Sequence, residues 1–180
     1  MRKFIARIFL DRFSKRYGDD AAYLRAILDA SPTAFFRFAG LAKLAGHREA
    51  APVDAYYVAK LVGVLHEDCG PCVQLVVNMA REAGLADSDI AATLNGDMQP
   101  AGEDAALGFR FADALTRETD DLGAARDAVR ARWGEAAVID LTFGAQVSRL
   151  FPMVKKGLGH AQSCARIRVG ERAITTRRAA

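Results

Sequence analysis

Between Pro52 and His66, the residues Tyr56, Tyr57, Val58, Leu61, Val62, Val64 and Leu65 surround most of the circumference of a helix. A helix that is apolar on nearly every side must be covered on nearly every side. This segment therefore predicts the buried axis of an all-α fold. With 180 residues the chain is long enough for one substantial core, or a core with an appendage. Its 51% apolar and 26% charged residues belong to a folded globular chain rather than a disordered one.

Helical periodicity extends over most of the remaining sequence, and no run reads as a strand. Phe4, Ile5, Ile8, Phe9 and Phe13 share one face of a helix over residues 2–16, with basic residues mostly opposite. Gly18-Asp19-Asp20 breaks that helix and caps the next, which runs to about Ala30. Ser31-Pro32 pairs an N-cap residue with a proline at the first helical position, and the helix it opens stops near Gly46. Further helices are expected at 73–83 (ended by Gly84), about 87–94, 103–117, 122–132 and 135–158. Pro152 is expected to kink or end the last. The resulting organisation is an N-terminal helical segment (1–50), a helical core (51–162) and a basic tail (163–180) of low apolar content, expected to be poorly ordered.

The net charge of +3 is unevenly distributed. Six basic residues oppose one acid in residues 1–16, and five oppose one in residues 165–180, leaving about −6 on the body. An acidic body without a basic stripe argues against nucleic acid as the partner. No apolar run reaches the ~18 residues of a membrane span. Arg7 and Asp11 interrupt the opening apolar stretch, which lacks a small-residue cleavage site, so the chain reads as cytoplasmic. The helix of residues 2–16 has two readings: packing on the body or a second subunit, which is favoured, or peripheral contact with an anionic membrane.

Cys69-Gly70-Pro71-Cys72 is the segment richest in chemistry. Cysteines at i and i+3 lie on one side of a helical turn and can close into a disulfide. The helix N-terminus favours the thiolate, with Asp68 as candidate N-cap, whereas the charges of Glu67 and Asp68 oppose it. Position alone makes Cys69 the accessible, attacking thiol and Cys72 the resolving one drawn into the helix. Burial of both as small structural residues is the competing reading. Zinc is disfavoured, because neither a second CxxC nor a histidine pair completes four ligands. No cofactor is expected. Cys164, near His160, is read as structural rather than as a further resolving thiol. Gln74, Asn78 and Arg81 form a polar stripe, read as a solvated face or subunit contact.

The stretch LVGVLHEDCGPCVQLVVNMAREAGL (Leu61 to Leu85) resembles the CxxC helix of the carboxymuconolactone decarboxylase superfamily, on its AhpD-like alkylhydroperoxidase branch. IAATLNGDMQPAGEDAALGFRFADALTRET and GEAAVIDLTFGAQVSRLFPMVKKGLG extend the resemblance over about residues 52–160. It implies a helical bundle, assembly into dimers, trimers or hexamers, and reduction of peroxides or disulfides by Cys69 and Cys72, with a thiol or lipoyl-type electron donor. With peroxide as substrate, the resemblance allows Cys72 to be the attacking residue. The branch carries a glutamate and a histidine as proton relay where this chain has Tyr57 and Val76. His66 and Glu67, with Lys60, are the nearby proton-transfer candidates. Two other functions stay open: a non-catalytic helical oligomer or membrane-surface accessory protein with a vestigial pair, and lactone decarboxylation.

Overall fold

The computed structural model describes residues 2–18, 21–99, 101–161 and 166–176. In chain order the helices are α1 (Arg2–Tyr17), α2 (Ala22–Ala30), α3 (Pro32–Ala39), α4 (Leu41–Ala45), α5 (Val53–His66), α6 (Gly70–Glu82), α7 (Asp87–Asn95), α8 (Glu103–Arg117), α9 (Leu122–Trp133) and α10 (Glu135–Gly157). Two short strands follow, β1 (Arg166–Val169) and β2 (Arg172–Thr175). The fold is all-α, with this small sheet as its one addition among the described residues.

α5 is the axis that its composition demands. Val58, Ala59, Leu61, Val62 and Val64 are buried around it, and it packs chiefly against α8 and α10, with α6 and α7 closing the remaining sides. Two glycines permit these crossings. A Cβ at Gly108 of α8 would lie 2.6 Å from Ala55 Cα, and one at Gly63 of α5 would collide with the Ala145 carbonyl of α10. Backbones this close leave room for nothing larger, so the α5–α8 and α5–α10 contacts have a fixed register.

The N-terminal helices form a smaller cluster of Ala6, Leu10, Ala21, Leu28 and Phe35 against the main body. Ser31 caps α3 as expected, its Oγ accepting from Ala34 N at 3.3 Å, with Pro32 at the first position. α1 presents a different face inward from the one its phenylalanines suggested. Ala6 and Leu10 are buried, while Phe4, Ile5, Ile8 and Phe9 stay exposed. The proposed helix break at Asp19-Asp20 lies outside the described residues, but Gly18 sits in the left-handed region at φ +66°. Pro152 does not end α10, which continues to Gly157.

Part of the tail departs from the expectation of poor order; its residues 163–165 and 177–180 lie outside the described residues. Residues 166–175 form an antiparallel hairpin with Val169 opposite Arg172 and Ile167 opposite Ile174. Gly170, at φ +60°, takes the first turn position, which a two-residue II′ hairpin gives to glycine. Ile167 and Val169 are 1% and 4% exposed, so this arginine-rich segment contributes to the main core. The stripe on α6 explains why it docks. The Gln74 side chain donates to Arg168 O at 2.9 Å and accepts from Arg168 N at 2.7 Å, acting as a short surrogate strand. Asn78 donates to Tyr17 O at 2.9 Å and Arg81 pairs with Asp87 at 2.8 Å. These residues are intramolecular fasteners rather than a solvated face.

Candidate functional site

α6 begins directly at the cysteine motif. Cys69 is its N-cap, in extended conformation (φ −115°, ψ 95°), and Pro71 occupies the second helical position, where its missing N–H costs nothing. Asp68, the expected N-cap, instead takes a left-handed conformation at φ +48° and turns the chain between α5 and α6. The two cysteines are joined as a disulfide, with Cα atoms 5.3 Å apart. The i, i+3 spacing thus closes within a single turn.

Their exposures reverse the order expected from position. Cys69 is fully buried, whereas Cys72 is 9% exposed. The space that Cys72 meets is a cavity of about 930 Å³ between the N-terminal helices and the faces of α5, α6 and α10. Cys72 lines this cavity and Cys69 does not. The reason is tertiary. α6 turns one side toward the N-terminal layer, and the first turn presents Cys72 there while the N-cap Cys69 is fully buried off the cavity wall. Ile5, Phe9 and Phe36 line the cavity and are themselves exposed, so it reaches the surface between α1 and α3.

Of the proton-transfer candidates, only Lys60 lies on this cavity. His66 ends α5 half-buried and off the cavity wall. Glu67 is buried and paired, with Arg149 Nε at 2.8 Å and Lys156 Nζ at 3.9 Å. Its charge is therefore compensated by α10 rather than directed at the cysteines. Tyr57 and Val76 both line the cavity. Burial raises the Tyr57 phenol above its ordinary pKa, so near neutral pH it can donate but not accept a proton. Cys164 lies outside the described residues.

No known family model, curated protein or solved structure matches the chain. Its functional reading therefore rests on the site itself.

Lys60 is the most unusual group there. It is 7% exposed, donates to Ala45 O at 2.9 Å, and sets its ammonium 5.2 Å from the ring centres of both Tyr56 and Tyr57. Tyr56 Oη donates to the same carbonyl at 2.6 Å. Among the described residues no carboxylate lies within ion-pair distance of Lys60. Burial accordingly pushes its pKa down to about 8. The sign follows from linkage: with the folded pKa below the ordinary 10.5, the unfolded chain binds more protons between pH 8 and 10.5, so stability rises with pH across that window. Lys60→Met is expected to stabilise the protein at pH 7 by roughly 2–3 kcal/mol, a thermal shift of about 5 °C, and the gain should vanish near pH 10.5. Paired thermal melts at the two pH values check this.

Among the described residues, no three His, Cys, Asp or Glu side chains gather into a metal site, and no helix is long and apolar enough to cross a membrane. Sequence reasoning missed the cavity itself. Its walls come from seven separate helices, and no local pattern announces it.

Proposed function

We propose that this protein is an AhpD-like thiol-dependent oxidoreductase in which Cys72 is the attacking thiol and Cys69 the resolving one. One observation carries the reading: of two cysteines already joined, only Cys72 faces a large apolar cavity that reaches the surface. In disulfide reduction, the Cys72 thiolate attacks a sulfur of the substrate disulfide and forms a mixed disulfide. One substrate thiol leaves with a proton. Cys69 then attacks the Cys72 sulfur, releases the second thiol, and closes the Cys69–Cys72 bond.

Peroxide follows the same course with different leaving groups. The Cys72 thiolate attacks a peroxide oxygen; an S–O bond forms, the O–O bond breaks, and the alkoxide leaves as alcohol after taking a proton. Cys69 displaces water from the resulting sulfenic acid to form the disulfide. In either case an external dithiol restores the pair and becomes a disulfide itself. Tyr57 and Val76 provide no base at the wall, and positioned acid–base help is typically worth ~10²–10⁴-fold. Disulfide exchange is therefore the faster of the two reactions.

The exposed Phe4, Ile5 and Phe9 of α1, with Ile139 and Met153 of α10, support self-association as part of this proposal. Lactone decarboxylation has less support. The one carboxylate on the cavity wall among the described residues, Glu82, is engaged by Arg16 and by Tyr17 Oη at 2.9 Å.

Trapping tests the order of attack. In Cys69→Ser, Cys72 should accumulate a stable mixed disulfide with a small aromatic disulfide, or a sulfenic acid captured by dimedone after one equivalent of cumene hydroperoxide. In Cys72→Ser, Cys69 should remain unmodified under the same conditions. Adducts on Cys69 but not on Cys72 would reverse the assignment.

A further inference from the structure

We propose that the cavity binds a single-chain lipid carboxylate, its acyl chain along the apolar walls and its carboxylate on the Lys60 ammonium. This inference rests on the cavity and Lys60, and it does not depend on the redox reading.

The volume of about 930 Å³ lies at the upper end of ordinary small-ligand sites. Its walls are mostly apolar, with Val64, Leu75, Val76 and Met79 on the core side and Phe35 and Phe38 on the N-terminal side; Lys155 is a second buried lysine on them, its ammonium 5.4 Å from the Tyr23 ring centre. A peptide would strand its backbone N–H and C=O groups there, because so few polar groups are available to meet them. A hydrocarbon chain makes no such demand.

Lys60 selects the head group. Among the described residues this buried ammonium meets a carbonyl and two aromatic faces and no carboxylate, so its charge is incompletely compensated. An entering carboxylate supplies that compensation through a charge-assisted hydrogen bond. A neutral alcohol supplies less, and a cationic head is repelled. Burial already pushes the Lys60 pKa down to about 8, so near pH 7 most molecules still carry the charge that the carboxylate needs. The mouth adds to the selection: Arg2 lines it beside the exposed Ile5, Phe9 and Phe36, its guanidinium 5.5 Å from the Phe36 ring centre, an arrangement that draws in an anionic amphiphile.

Fluorescence titration with cis-parinarate, on the disulfide form without reductant, provides the test. Parinarate fluorescence should rise on binding and be displaced by laurate at a concentration about tenfold lower than dodecanol requires, with dodecylamine weakest. Lys60→Met should keep displacement by dodecanol and lose the tenfold preference for laurate. Thermal melting of the same variant establishes that it is folded. Failure of parinarate to bind, equal displacement by all three amphiphiles, or a laurate preference that survives in Lys60→Met would each overturn the proposal. No cysteine needs to turn over in this titration, so its failure is distinct from failure of the thiol chemistry.

Discussion

Replacing Cys72 with serine is expected to lower the steady-state reduction of a small aromatic disulfide, with excess dithiol as electron donor, on the order of 10³-fold or more. A serine hydroxyl is not ionised near neutral pH, and its oxygen does not form the mixed disulfide. Cys69 does not compensate, because it is fully buried behind the first turn of α6. Cys69→Ser should behave differently. Its first step, a single equivalent of substrate thiol released, should proceed at close to the normal rate. Its later turnovers should depend on the external thiol concentration, since no internal thiol resolves the adduct. Stopped-flow measurement of the first equivalent separates the two variants. Equal loss of the first step in both would contradict distinct roles.

Asp140→Ala is expected to destabilise the fold by ~3–5 kcal/mol, lowering the melting temperature by about 10 °C. Asp140 is fully buried on α10. Its Oδ2 accepts from the backbone N–H groups of Glu49, Ala50 and Ala51 at 2.9, 2.7 and 2.9 Å. His47 Nε2 stands 3.6 Å from Oδ1. This one carboxylate therefore fastens the segment between the N-terminal helices and α5 to the core. Alanine would leave three donors without their acceptor. Burial alone would raise the Asp140 pKa, but the three N–H bonds and His47 outweigh it and hold the carboxyl below its ordinary value. Its contribution is thus present above about pH 4 and lost as pH falls through that lowered pKa. Asp140→Asn, which keeps one acceptor oxygen, should recover part of the loss. Urea unfolding of the three proteins at pH 7 reads these differences directly.

The helices were legible because their signals are local. α5 carries apolar residues around most of its circumference, Ser31-Pro32 marks a start, and Gly84 marks an end in left-handed conformation. The hairpin at 166–175 was missed although it left a trace. Ile167 and Val169 alternate with basic residues ahead of Gly170-Glu171, a period-2 pattern beside a turn signal. Four-residue strands are too short to stand alone, and what secures them is the Gln74 amide, more than ninety residues away in sequence. Asp140 was invisible for the same reason: its partners lie about ninety positions earlier.

At the site, the spacing of Cys69 and Cys72 was enough to show that the pair can close, because an i, i+3 pair at a helix start needs no tertiary help. Which sulfur faces the cavity was not readable, since it depends on where α1 and α3 leave α6 uncovered. His66 and Glu67 were chosen for nearness in sequence. The helical turn at the end of α5 directs Glu67 toward Arg149 and Lys156 instead, while Lys60, farther away in sequence, lies on the cavity shared with Cys72.

The central claim, a reversible Cys69–Cys72 couple, is tested most directly by peptide mass mapping of the protein after mild oxidation and again after treatment with a dithiol. The expected result is a Cys69–Cys72 linked peptide, lighter by two hydrogens, that forms before Cys164 is modified. It should return to two free thiols with the dithiol, and the helical circular dichroism spectrum should be the same in both states. Cys69 and Cys72 remaining reduced while Cys164 reacts first would contradict the redox reading and leave the pair a structural one.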